Sequence, residues 1–227
     1  MRIIGLTDLH DRILNFDKLL RYKPDVILIS GDLATRNVAR SVNPDNSCDI
    51  VHEEDTRIID FLKNLNEKVK VFLIPGNWEN SDVKEKMNES GLNIDEKFVK
   101  FDETIFIGLG GSNKTPICSP NEYSEDEIYE RFIKILKDEK IDVKNNFILV
   151  SHAPPKDTMA DRCDAGNVGS SAVRKIIEEF KPILCACGHV HESRCIDKIG
   201  DSLIVNPSST GFFIYDTKSK NLEIHDL

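Results

Sequence analysis

The sequence predicts an α/β fold built on two β-sheets. Short apolar runs alternate with stretches of helical period, which is how strands and their crossover helices are written in such proteins. Most of the runs are apolar on both faces, as strands covered from both sides are. After Lys97 the texture changes to closely spaced, hairpin-like strands, so a meander-like set joins the alternating part.

Arg2–Thr7 reads as the first strand, and the helix after it ends at Tyr22-Lys23-Pro24, because proline disfavours helix in the residue before it. Asp25–Ser30 is the second strand, and the polar stretch Ala34–His52 is a long loop. Glu53–Glu67 places Ile58, Ile59, Leu62 and Leu65 on one stripe and is a helix leading to the strand Lys70–Ile74. Phe98–Phe101 and Thr104–Leu109 flank Asp102-Glu103 as a hairpin. Gly110–Tyr123, opening Gly-Gly-Ser-Asn, is a second long polar loop, and loops of this length in a compact domain are often functional. Ser124-Glu125-Asp126-Glu127 is a capping box that opens a helix through Lys137. Asn146–Ser151 is a strand, Ser171–Phe180 a helix closed by Lys181-Pro182, and Pro182–Cys187 another strand. Ser202–Val205, Phe212–Asp216 and Leu222–His225 follow, with Lys218–Asn221 as a turn.

The 227 residues are expected to form one domain, 1–227. A hydrophobic share of 40% with 30% charged residues excludes a disordered or collagen-like chain. The net charge of −9 argues against a broad nucleic-acid surface, since phosphates need clustered Lys and Arg. A small anionic substrate remains open where a bound metal supplies positive charge locally. No apolar run approaches the roughly 18 residues that span a bilayer, and Ile3–Leu6 breaks at Thr7-Asp8 without the flanks of a signal peptide. The expectation is a cytoplasmic protein, without membrane contact, whose six cysteines are reduced.

The chemistry lies where the strands end. The five buried runs finish in Asp8-Leu9-His10, Gly31-Asp32, Gly76-Asn77, Ser151-His152 and Gly188-His189-Val190-His191. One Asp or His at a strand end is more often a helix cap or a satisfied core group than a ligand. Five at five such ends are not explained that way, because ligands of α/β folds gather beyond the carboxyl ends of parallel strands. Two Asp, one Asn and four His suffice for two divalent ions if one Asp bridges them. A mixed nitrogen and oxygen set without thiolate suits Mn, Fe, Zn, Ni or Co and is too rich in nitrogen for calcium.

In these five stretches, taken in order from residue 8 to residue 191, the sequence resembles the calcineurin-like metallophosphoesterase superfamily. The resemblance implies a four-layer αββα sandwich of two mixed β-sheets flanked by helices, with a dinuclear centre at the sheet edges. It implies that Asp8, His10 and His191 hold one metal ion, that Asn77, His152 and His189 hold the other, and that Asp32 bridges them. Two divalent transition-metal ions are the implied cofactors, Mn²⁺ first among them. Two such ions about 3.5–4 Å apart would clamp a bridging hydroxide and the phosphoryl oxygens, so a phosphodiester or phosphomonoester could be attacked without a protein base. Asp32, Asn77 and His152 are the residues expected to position hydroxide and phosphate, and a small phosphate ester is the expected substrate. The alternative is a metal-binding protein-interaction scaffold of the same fold with little catalysis, as in the retromer subunit.

The chain departs from the family at Gly76-Asn77-Trp78-Glu79, where many members carry Gly-Asn-His followed by an acid. That histidine is the usual proton donor to the leaving group, and its loss costs about 10²- to 10⁴-fold with poor leaving groups. Glu79 and His52 are the replacements to consider. Val205-Asn206-Pro207-Ser208-Ser209 resembles the family's Asn-Pro-Gly-Ser stretch with Ser208 in place of glycine. Trp78 reads as packing over the loop, with stacking on a substrate ring as the alternative. Cys185 and Cys187 share one face of a buried strand and read as core. Arg36 and Arg40 are candidate phosphate clamps, and Gly166-Asn167-Val168-Gly169-Ser170, ahead of a helix, could offer backbone N–H groups to a phosphate.

Overall fold

Successive side chains of a strand point to opposite faces, and the apolar runs supply both. In β1 (Arg2–Leu6), Ile4 and Leu6 join one core while Ile3 joins another. The protein is described from a computed structural model, which covers residues 1–33, 37–42, 48–53, 56–116, 118–139, 143 and 147–227, with 37–42, 48–53 and 139 as backbone only.

From β1 the chain runs through α1 (Phe16–Leu20), β2 (Val26–Ser30), β3 (Asn37–Val42), β4 (Cys48–Glu53), α2 (Arg57–Leu65) and β5 (Lys70–Ile74). Next come α3 (Ser81–Glu89), the hairpin β6 (Phe98–Phe101) and β7 (Thr104–Leu109), and the short β8 (Ser112–Asn113) and β9 (Glu122–Tyr123). Then follow α4 (Glu125–Glu139), β10 (Phe147–Ser151), the short pair β11 (Arg162–Cys163) and β12 (Gly166–Asn167), α5 (Ser171–Phe180) and β13 (Leu184–Ala186). Two antiparallel pairs close the described chain: β14 (Cys195–Ile199) with β15 (Ser202–Asn206), and β16 (Gly211–Asp216) with β17 (Asn221–Asp226).

The main sheets have the orders β17-β16-β1-β2-β5 and β14-β15-β13-β10-β7-β6. Both are mixed: β1, β2 and β5 are parallel in the first, and β7, β10, β13 and β15 in the second. Their inner faces meet in a core that sets Val26, Leu28 and Phe72 with Phe106, Ile148 and Val150. The outer face of the first sheet, with Ile27, Ile29 and Val71, is covered by Leu19 of α1, Ile58 and Leu62 of α2 and Met87 of α3. The outer face of the second, with Leu149, Cys185 and Ile204, is covered by Phe132 of α4 and Ile176 of α5. This is the αββα sandwich that the sequence leads one to expect.

The stripe on α2 is buried as read, at Ile58, Ile59, Leu62 and Leu65. Each such burial stabilises by about 1.5–3 kcal/mol, and a helix this short depends on it. The capping box holds too: Glu127 N–H donates to Ser124 Oγ, and Ser124 N–H donates back to the Glu127 carboxylate. α5 ends where Lys181, ahead of Pro182, turns to φ 52°. Several elements depart from the reading. Ala34–His52 is not a plain loop, because β3 and β4 within it pair as an antiparallel hairpin. α3 has only Val83 and Met87 buried, too few apolar residues for a periodic signal, and rests on Asn80, whose side chain caps Asp82 N and Val83 N. β14 is an edge strand, none of whose residues is fully buried.

Candidate metal centre

The parallel strands of both sheets end on one side of the sandwich and deliver the polar residues there. Asp8 and His10 follow β1, Asp32 follows β2 and Asn77 follows β5, all from the first sheet, while His152 follows β10 and His189 and His191 follow β13 of the second. The turns that aim them are strained: Asp8, His10, Asp32 and His189 have φ of 54°, 46°, 49° and 69°. Left-handed backbone at non-glycine residues costs of order 1–3 kcal/mol and concentrates at functional sites. Gly31, at φ 101°, leaves room for His152, whose ring a Cβ there would strike, and a Cβ on Gly76 would run into the Asp32 carboxylate. The Gly-Asp and Gly-Asn pairs are therefore required by close approach.

All seven residues come together. Ligand atoms of Asp8, His10 and His191 lie within 4.8 Å of one another, and so do those of Asp8, Asp32 and His152. His191 Nε2 is 3.0 Å from Asp8 Oδ1 and 3.4 Å from His10 Nε2. His152 Nε2 and His189 Nδ1 converge on Asn77 Oδ1 at 2.9 and 3.0 Å, and Asp32 Oδ1 is 3.6 Å from His152 Nε2. Asp8, Asp32, Asn77 and His152 are buried, whereas His191 is 43% exposed, so the cluster has a floor and a mouth. Asp8 belongs to both groups, which puts two carboxylates, Asp8 and Asp32, at the middle.

This donor set fits metal ions. His152 Nδ1 donates to the Ser30 carbonyl at 2.8 Å, so a neutral ring turns the lone pair of Nε2 toward the Asn77 oxygen. Acceptor faces acceptor there, and only a proton or a cation makes that contact favourable. The spacings agree, since cis donors of an octahedron with bonds of about 2.1 Å lie about 3 Å apart. Electrostatics point the same way. Burial pushes the Asp8 carboxyl up, but the hydrogen bond from His191, the charges of His152 and His191 and the Thr7 hydroxyl together hold it well below the carboxylate range. Asp32 is raised well above that range by burial and by the neighbouring Asp8. His189 is pushed down to about 3 by burial and by His152, and His191 is raised by its bond to Asp8. Two close, buried carboxylates are what a divalent cation relieves.

Other expectations are sorted by the same contacts. Glu79 is buried, and its two oxygens accept the N–H groups of Leu33 and, at 2.5 Å, Gly76. It ties the Asp32 turn to the Asn77 turn. The side chains of His52 and Arg40, and all of Arg36, lie outside the described residues. Trp78 is half-buried, and its backbone N–H donates to Asp32 Oδ1 at 3.2 Å. The N–H groups of Val168, Gly169 and Ser170 are taken by Asp161 and Pro154, so that helix start is structural. Cys185 and Cys187 are buried in the outer core, and the five cysteines whose side chains are described, Cys118, Cys163, Cys185, Cys187 and Cys195, are free. Ser208 takes φ 63°, a glycine-like conformation, and its hydroxyl donates to the His191 carbonyl at 2.7 Å. Sequence reasoning passes over Arg12, whose guanidinium gathers the carbonyls of Asp8, Leu9 and Ser209, although it stands only two residues beyond His10. It also passes over Ser119 and Glu122, where the only signal is the length of their loop.

The chain matches the calcineurin-like phosphoesterase family over residues 1–193 and belongs to it. It is 41% identical over 231 residues to the uncharacterized protein MJ1162 of Methanocaldococcus jannaschii, covering 100% of this chain and 96% of that protein. Among solved structures it is similar to TT1561 of Thermus thermophilus, with TM-score 0.68 and 17% identity over 99% of this chain and 98% of that one. A dimetal phosphatase from Danio rerio gives TM-score 0.56 with 11% identity over 94% and 91% of the two chains. These two likenesses concern the fold. No helix among the described residues is long and apolar enough to cross a membrane.

Proposed function

We propose that this protein is a phosphoesterase that hydrolyses small phosphate esters with two divalent transition-metal ions, Mn²⁺ foremost. Asp8, His10 and His191 would hold one ion, Asn77, His152 and His189 the other, with Asp32 between them. The observation that carries this reading is the convergence of seven candidate ligands from both sheets, on strained turns, with ligand atoms 2.9–3.4 Å apart. When bound, such a pair acidifies water to a nucleophile near neutral pH and offsets charge on the phosphoryl oxygens. The protein's part is placement. His152 is locked by the Ser30 carbonyl, Asp32 by the Trp78 N–H, and Asp8 by Thr7 Oγ1 at 2.7 Å and the His189 N–H at 3.1 Å. The open side at His10 and His191 is where an ester would enter.

Glu79 accepts two backbone N–H groups, and no histidine follows Asn77, so the family's usual proton donor to a leaving alkoxide is missing from its place. The expected outcome of a metal-by-substrate screen on metal-stripped protein is activity restored by Mn²⁺ or a similar ion. Nitrophenyl esters should be hydrolysed at least about tenfold faster than alkyl phosphates. Equal rates on the two classes would place a proton donor elsewhere. Normal metal binding without hydrolysis of any ester would favour the scaffold reading instead.

A further inference from the structure

The sequence marks 110–123 as a long polar loop without saying what it serves. In the structure this loop is fastened to the turn that carries Asn77. Gly111 N–H donates to Pro75 O at 3.0 Å, Asn121 N–H to Asn77 O at 3.0 Å, and Asn121 Nδ2 to Gly76 O at 2.7 Å. One further link reaches the ligand side chain itself: Asn77 Nδ2 donates to Ser119 Oγ at 2.8 Å, and Ser119 Oγ donates to Glu122 Oε1 at 2.5 Å. The same carboxylate accepts Ser119 N–H at 2.8 Å, Thr115 N–H at 3.0 Å and Thr115 Oγ1 at 2.6 Å.

The direction of these bonds is forced. Burial pushes the Glu122 carboxyl up, but the hydroxyls and N–H groups of Ser119 and Thr115 outweigh it and hold Glu122 below its ordinary range, so it is ionised. An ionised carboxylate only accepts. The single hydroxyl proton of Ser119 goes to it, and toward Asn77 Ser119 can then only accept. The Asn77 amide must therefore turn its NH₂ group to Ser119 and its oxygen to His152 and His189. A flipped amide would put two N–H donors where a cation should sit and leave Ser119 facing an oxygen without a proton to share. We propose that Ser119 and Glu122 are positioning residues for the second metal ion, fixing through hydrogen-bond polarity the amide oxygen of Asn77 in the metal pocket. The inference rests on Asn77, His152 and His189 holding an ion, as proposed above.

Glu122→Gln tests the polarity with almost no change of shape, because a glutamine NH₂ can donate to Ser119 and free its proton for Asn77. The full-length, metal-stripped protein is titrated with Mn²⁺ alone, followed by calorimetry and by electron paramagnetic resonance, which distinguishes a coupled pair from an isolated ion. Wild type should take two ions and show the coupled signature. Glu122→Gln and Ser119→Ala should keep one ion at wild-type affinity and bind the second about 10- to 100-fold more weakly. Their spectrum at one equivalent should be that of isolated Mn²⁺. Ser119→Thr, which keeps the hydroxyl, should restore the pair. Thr115→Val removes a donor from the same carboxylate without touching the Ser119–Asn77 bond and should keep both ions. Wild-type affinity for both ions in Glu122→Gln and Ser119→Ala would overturn the inference alone. So would loss of the second ion in Thr115→Val, since loop integrity would then be the cause. A wild-type chain that takes no second ion would overturn the two-metal function and this inference with it.

Discussion

Trp78 sits directly after the candidate ligand Asn77, and its backbone N–H donates to Asp32 Oδ1 at 3.2 Å. Any residue but proline can make that bond. Trp78→His restores the Gly-Asn-His-Glu pattern of many relatives and places an imidazole beside the metal pocket. The expected outcome is a rate on alkyl phosphates that rises by at least about tenfold relative to the rate on nitrophenyl phosphate, because only the alkoxide needs a proton. Metal content, measured on the same sample, should stay at the wild-type level. An unchanged ratio with both ions retained would mean that proton donation at this position does not limit the reaction. Both oxygens of the neighbouring Glu79 accept backbone N–H groups, from Leu33 and Gly76.

One cation braces both ends of the stretch between β7 and α4. Arg131 of α4 donates to the Gly110 carbonyl at 2.9 Å, to Glu96 at 2.8 Å and to Asp95 at 3.1 Å, and its guanidinium lies 4.0 Å from the centroid of the Tyr123 ring. Arg131 and Asp95 are only 11% and 12% exposed, so removing one partner leaves a buried charge, at a cost of about 3–5 kcal/mol. Burial already raises the Asp95 carboxyl, against the pull of Arg131 and the Gly110 N–H. A raised acid contributes stability that is complete below its unfolded value and is lost as pH rises through its folded value. Taking Arg131 away raises Asp95 further, so the penalty grows with pH. Urea unfolding of Arg131→Met should therefore show a loss relative to wild type at pH 7 that shrinks toward about pH 4. An equal loss at both pH values would mean that packing, not the charge pair, is what Arg131 supplies. This element was only half legible. The loop's length and its opening glycines are visible in the sequence, but its internal bonds join residues such as Asp95 and Arg131 that are 36 positions apart, and no local pattern encodes that. Similarly, α3 hides because two apolar residues make no stripe, and it is held by its Asn80 cap.

At the scale of the molecule, the five strands that carry the candidate ligands were legible because they follow local rules: their buried runs are continuous, and each ends in a Gly-, Ser- or Thr-preceded polar residue. Their convergence was legible only through the topology that α/β sheets adopt. What was not legible is that the donors divide between the sheets, with Asp8, His10, Asp32 and Asn77 on one and His152, His189 and His191 on the other. Metal ions held there would tie the two halves of the sandwich together, so binding should stabilise the whole fold. Stabilisation by a ligand is about 2.7 kcal/mol at 100 times its Kd, and for a chain of this size that is about 5–10 °C in Tm. Adding Mn²⁺ to the metal-stripped protein should raise Tm progressively, and a chelator should reverse it. Asp32→Asn sharpens the expectation, because its two effects have opposite signs. Without metal, the variant removes a buried carboxylate that sits beside Asp8 and should be no less stable than wild type. With metal, it loses the charge that offsets two cations, and most of the Tm gain should vanish. An Asp32→Asn protein that keeps the full Mn²⁺-induced rise would remove Asp32 from the ligand set, and a variant that is less stable than wild type before metal is added would assign Asp32 a structural role instead.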